Sequence, residues 1–155
     1  SNPTTRFQVL IQKVAAMVVA TSVRAVVLWL SVVIGGLIVG MDLSYNNEGA
    51  INGLDVIRSI WPGMQTARIM GSSALGISYA AAGRTDLYFH HQLEPWDQVA
   101  GILLVEEAGG VITDRTGKRA GLYSDGLIAS SSTLHAEFIH RTEGMAWRLP
   151  THHLV

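Results

Sequence analysis

Three places in this chain gather residue types that could do chemistry. Glu94-Pro95-Trp96-Asp97 reads as the start of a long helix, with Pro suited to the first turn and Asp to the positive helix end. A carboxylate fixed there offers hard oxygen ligands to a metal ion, and equally it is a helix cap. Gly71-Ser72-Ser73 opens an earlier helix. The first backbone N–H groups of such a helix can hold an anion, although close packing plus an N-cap would use the same residues. His90 lies in a short strand, where its ring can hydrogen-bond a hydroxyl or stand in solvent; His91 points to the opposite face and reads as structural. The other candidates are weaker. His135 and His140 are five residues apart and share no helix face, Glu106-Glu107 reads as a solvated face, and Trp96 reads as a core anchor.

These residues need elements to position them. Glu48 to Ile60 has the spacing of a helix, with Ile51, Leu54, Ile57 and Ile60 three apart, and Trp61-Pro62-Gly63 stops it. Thr66 to Met70 reads as a short strand, and the helix opened by Gly71-Ser72-Ser73 runs to a left-handed cap at Gly83. Asp86 to His91 reads as a strand with Leu87 and Phe89 on one side and Tyr88 and His90 on the other. In the helix begun at Glu94, Val99, Ile102, Leu103 and Val105 are expected to face a core, and Gly109-Gly110 closes it. Val111 to Thr113 and Leu127 to Ala129 read as strands with a turn at Asp114-Arg115-Thr116-Gly117, and a last helix starts near Ser132 or Thr133. Helices alternating with strands make the fold class α/β.

Charge divides the chain in two. Residues 1–41 hold no acid, and all 12 acidic residues lie from Asp42 onward. Ala25 to Met41 runs 17 residues without a charge, close to the roughly 17-residue lower limit for crossing a bilayer. Three readings compete for residues 1–41: one or two buried strands, a frameshifted stretch, or a membrane helix within residues 14–41. Residues 42–147 then form the regular domain, and residues 148–155 a tail. The net charge of −1 argues against a nucleic-acid partner, and the absence of cysteine excludes disulfides and thiolate metal sites, which fits a cytoplasmic protein.

Two stretches carry a resemblance. RIMGSSALGISYAAAGRTDLYF (Arg68 to Phe89) and PWDQVAGILLVEEAGGVITDRTG (Pro95 to Gly117) are similar to the inositol monophosphatase family. The family's Trp-Asp, Ala-Gly and Glu-Ala-Gly-Gly stand here as Trp96-Asp97, Ala100-Gly101 and Glu107-Ala108-Gly109-Gly110. Leu127-Ile128-Ala129-Ser130 followed by Leu134-His135 matches as well, so the similarity covers about residues 42–142. It implies the C-terminal portion of a layered α/β sandwich, Mg²⁺-dependent hydrolysis of a phosphate monoester, a small phosphorylated polyol or sugar as substrate, and a homodimer. It implies further that Asp97 binds metal and touches a substrate hydroxyl, and that Gly71, Ser72, Ser73 and His90 line the substrate site.

The chain departs from the family in two ways. Ser73 replaces the usual Ala, and His90 stands where inositol-specific members commonly place a Glu, which puts inositol specificity in doubt. The family's N-terminal Asp-Pro-Ile/Leu-Asp-Gly-Thr motif, which supplies most metal ligands, has no counterpart; Asp125-Gly126 is followed by Leu127. One carboxylate cannot assemble a multi-metal site. The expectation is therefore that this polypeptide alone has little or no phosphatase activity. Two alternatives follow: a non-catalytic binding or dimerisation domain, and a membrane-anchored one.

Overall fold

The computed structural model describes residues 36–149. Their compact unit begins at Leu37, inside the acid-free segment rather than at Asp42. Strand β1 (Leu37–Asp42) is buried from Val39 to its end, as expected of an apolar, β-branched run covered on both faces. The readings offered for residues 1–35 lie outside the described residues. Among the described residues no helix is long and apolar enough to cross a membrane.

Helix α1 (Asn47–Ile60) is capped by the Asn46 side chain, whose oxygen accepts from the N–H of Glu48 at 2.8 Å and of Gly49 at 3.4 Å. Its buried face is Gly49, Gly53, Val56 and Ile60, whereas Ile51 and Leu54 are exposed, contrary to the three-residue spacing. The glycines decide this, because they let α1 approach the sheet closely. A Cβ at Gly49 would sit 2.4 Å from the His91 ring, and one at Gly53 3.3 Å from Met41. After a 3₁₀ turn at Trp61–Gly63 come strand β2 (Met64–Ile69), helix α2 (Ser73–Ala81) and strand β3 (Leu87–His90). Helix α3 (Pro95–Glu107), strands β4 (Val111–Thr113) and β5 (Leu127–Ser130), and helix α4 (Ser132–Arg141) complete the set.

The five strands form one sheet in the order β2-β1-β3-β5-β4. β1 pairs parallel with β2 and β3, and β5 runs antiparallel to β3 and β4. One face carries Val39, Met41, Leu87, Phe89 and Ile128 against Val56 and Ile60 of α1, Phe138 of α4, and Trp147. Phe89, Phe138 and Trp147 pack ring to ring with centroids 5.2–6.0 Å apart, two of the three pairs edge-on. The other face carries Tyr88, Leu127, Ala129 and Ile112 against Ile77 of α2 and Val105 of α3. The result is a three-layer α/β sandwich, with β3 alternating between the two cores as its sequence predicts.

Two expectations are corrected by the packing. Trp96 is 75% exposed, and Val99 and Leu103 are also exposed; the buried side of α3 is Gln98, Gly101 and Val105. Gly101 sets that rotation, since a Cβ there would lie 2.5 Å from Ile77 of α2. Nor does the fold loosen at Arg148. Trp147 is buried, the Arg148 guanidinium donates to the carbonyls of Arg115 and Ile139, and Arg115 donates to the carbonyls of Trp147 and Leu149.

Candidate active site

The chain direction creates the site. From β1 the chain crosses by α1, on one face, to β2; from β2 it crosses by α2, on the other face, to β3 on the far edge of β1. Two neighbouring parallel strands whose outgoing connections leave toward opposite edges of the sheet, one through α1 to β2 and the other through α3 to β4, bound a crevice at their carboxyl ends. Those strands are β1 and β3, whose last residues, Asp42 and His90, are register partners. A cleft of about 710 Å³ opens there, and Gly71, Ser72, Ser73, His90 and Asp97 all line it, with Asp42 and Glu94. The five residues that the resemblance implied for the substrate site thus line one cleft, whereas His91, Trp96, Glu106, Glu107, His135 and His140 do not line it.

Each is held by identifiable contacts. Asp97 sits in the first turn of α3; its Oδ2 accepts from the Glu94 N–H at 3.2 Å, which fixes the carboxylate at the helix entrance. Ser72 caps α2, its hydroxyl accepting from the Leu75 N–H at 3.4 Å. Gly71 has φ +69°, the left-handed conformation that turns the chain out of β2 into the helix. His90 is buried, and its Nδ1 accepts from the Gln92 N–H at 3.1 Å, which leaves the proton of the neutral ring on Nε2. Burial lowers its pKa; the carboxylates of Asp42 and Asp97 pull the other way. His91 faces away, with its ring against Gly49, and burial together with the charges of Arg115 and His90 lowers its pKa to about 4. Gly126 lies so close to the carbonyls of His90 and His91 that a Cβ would come within 2.4 Å of both. That contact gives Asp125-Gly126 a packing role.

Two residues that the sequence reading passed over stand behind this site: Asp42, which lines the cleft, and Tyr88, buried beneath it. Asp42 is buried; its Oδ1 accepts from the backbone N–H groups of Met70 at 2.7 Å and Gly71 at 2.6 Å. Its Oδ2 accepts from the Tyr88 hydroxyl at 2.9 Å. Tyr88 is fully buried, so its pKa is raised, chiefly by desolvation. The available signal is an acid closing an apolar, β-branched run. The N–H of Gly71 is thereby committed to Asp42. The donors that a helix start leaves without intrahelical partners begin one residue later, at Ser72.

Mg²⁺ takes six oxygens and is commonly held by one or two carboxylates, waters and substrate phosphate. Asp97, part-exposed in the cleft with Glu94 beside it, fits one such position. Among the described residues no three His, Cys, Asp or Glu side chains come together as a metal group, so a multi-metal centre does not fit them alone.

The sequence and the fold both have known relatives. The model of the inositol monophosphatase family matches residues 34–145. A fructose-1,6-bisphosphatase/inositol-1-monophosphatase of Thermotoga maritima is 43% identical over 72 residues, 46% of this chain and 28% of that protein. The chloroplastic phosphatase IMPL1 of Arabidopsis thaliana is 28% identical over 68% of this chain and 28% of its own length. A solved suhB structure from Bartonella henselae superposes with a TM-score of 0.65 at 28% identity, covering 72% of this chain and 43% of that one. This chain therefore spans well under half the length of its relatives. With the family's model matched over most of its length and the family's fold around the cleft, the chain belongs to the inositol monophosphatase family.

Proposed function

We propose that this chain supplies the substrate-facing side of a Mg²⁺-dependent phosphate monoesterase site. The observation that carries the reading is that the Asp97 carboxylate, the first turn of α2 and His90 open on one cleft at the β1/β3 crevice. In this reading Asp97 holds the metal and the hydroxyl next to the scissile ester. The first-turn N–H groups of α2, from Ser72 on, face phosphate oxygens. His90, neutral with its proton on Nε2, donates to an acceptor on the polyol or sugar, where a glutamate would accept instead. Bound Mg²⁺ supplies charge neutralisation of the phosphate oxygens. The remaining metal ligands come from the rest of a family domain, so the isolated chain binds phosphate but turns over no ester.

The test is amide NMR of the chain titrated with inorganic phosphate and Mg²⁺, alongside a phosphatase assay. Shifts confined to Ser72–Ala74, His90 and Asp97, with the Mg²⁺-dependent part lost in Asp97→Asn, support the reading. Shifts scattered elsewhere, or none, refute it.

A second reading, a non-catalytic binding or homodimer domain, is favoured by the absence of a three-ligand group among the described residues. Relatives named Nus factor SuhB, 38% identical over half of this chain in Salmonella typhimurium, carry a name that is not a hydrolase's. The exposed apolar stripe of Trp96, Val99 and Leu103 is the surface on which a second copy would pack. Light scattering that shows a dimer for wild type and a monomer for Leu103→Ser would favour this reading.

A further inference from the structure

Asp42 closes strand β1 inside the proposed site, yet its carboxylate is turned inward. Both oxygens are engaged, one by two backbone N–H groups at 2.6 and 2.7 Å and the other by the Tyr88 hydroxyl at 2.9 Å. Charge-assisted bonds of this length are among the stronger ones a fold makes. A carboxylate so occupied is a poor candidate for a metal ligand, although it lines the same cleft as Asp97.

The donors it holds identify its work. Met70 and Gly71 form the link between the end of β2 and the start of α2, and Gly71 is the left-handed turn residue of that link. Nothing lies within 4 Å of the position a Gly71 Cβ would take, so no close approach of another element requires glycine there. Further along, α2 is clamped by the close approach of Gly76 to the Tyr88 ring, the ring whose hydroxyl bonds Asp42. One carboxylate thus ties the start of α2 to β1 through the backbone and to β3 through Tyr88.

We infer that Asp42 is a positioning residue: it fixes the entry turn of α2 against the ends of β1 and β3, and so sets the direction of the N–H groups from Ser72 onward that face the cleft. Its effect on phosphate rests on the phosphatase reading above; its hold on the turn does not. The sign of the effect separates positioning from simple electrostatics. Deleting a buried negative charge beside an anion site should by itself tighten anion binding. Releasing the turn should weaken it.

The experiment compares wild type, Asp42→Asn and Asp42→Ala in the full chain, with thermal unfolding confirming that each variant folds. Two quantities are read: hydrogen exchange of the Met70 and Gly71 amides without ligand, and the affinity for inorganic phosphate by amide NMR with Mg²⁺. In Asp42→Ala both amides should exchange at least about tenfold faster and phosphate affinity should fall about tenfold. Asp42→Asn keeps an oxygen to accept both N–H bonds and should restore most of each. Unchanged exchange in Asp42→Ala overturns the inference, as does phosphate affinity that holds or rises while exchange accelerates. If Asp42→Ala does not fold, the Asn variant decides: exchange as slow as wild type with phosphate affinity within about threefold supports positioning, and a larger loss of affinity overturns it. If wild type binds no phosphate, the phosphatase reading fails, and the exchange measurement still judges the role of Asp42 in the turn.

Discussion

Replacing Gly76 by Ala tests whether α2 is set by contact with the buried Tyr88 ring. The added Cβ would lie 2.1 Å from Tyr88 Cε2, 2.6 Å from Cδ2 and 2.7 Å from Cζ, far inside the ordinary carbon–carbon contact of about 3.5 Å. The ring has little room to yield. It is fully buried, and its hydroxyl is tied to Asp42. The helix must therefore lift from the sheet. Overpacking of this kind costs about 1–3 kcal/mol, and Ala regains about 1 kcal/mol of helix propensity over Gly. The clash is against a pinned ring, so the upper part of the overpacking range applies, and a net loss of about 1–2 kcal/mol is expected. Urea unfolding followed by circular dichroism reads this as a midpoint lower by roughly 0.5–1 M. Gly121→Ala is the control, because nothing lies within 4 Å of its Cβ position and its φ is not in the left-handed region. Its midpoint should stay level or rise by a few tenths of a kcal/mol equivalent. A Gly76→Ala protein as stable as wild type would refute the claim that glycine contact with Tyr88 sets α2.

Three further outcomes are expected. Trp147→Ala, which empties the centre of the Phe89–Phe138–Trp147 cluster, should cost about 3–5 kcal/mol and abolish the near-UV circular dichroism signal of a fixed core. Stability should fall with acid: burial depresses the pKa of His90, His91 and His135, so the unfolded chain takes protons near pH 6.5 that the fold resists. The stability is then whole above about pH 6.5 and declines as pH drops toward about 4, with His91 contributing at most ~3 kcal/mol, readable as a urea midpoint that falls across that window. Leu103→Ser should change stability by less than ~0.5 kcal/mol whereas Val105→Ser costs at least ~2, since the first side chain is exposed and the second is 2% exposed; comparison of thermal midpoints checks the rotation of α3.

Local patterns in the sequence located the elements well. The helix over Asn47–Ile60, the strand at Leu87–His90 with its two-sided alternation, and the helix entered at Pro95 all follow from short-range rules of period, capping and turn chemistry. Rotation of the helices did not follow. In α1 and α3 nearly every face offers apolar residues, and the buried side is chosen by Gly49, Gly53 and Gly101, where the loss of a side chain lets two elements meet. Glycine carries no hydrophobic signal, so counting apolar spacings pointed to Ile51, Leu54, Val99 and Leu103 instead.

The site divides in the same way. Residue types and their order along the chain determined that Asp97 stands at a helix entrance, that Gly71-Ser72-Ser73 opens another helix, and that His90 lies in a strand. These are local facts of capping and turn geometry. Only the tertiary structure decided that all of them share one cleft, because that depends on β1 and β3 lying side by side with their outgoing connections leaving toward opposite edges of the sheet. Only it could show Asp42 joining Met70, Gly71 and Tyr88, partners 28 to 46 residues distant in the chain. A hydrogen bond between distant segments leaves no period in a sequence; it exists once the sheet has brought the strand ends together.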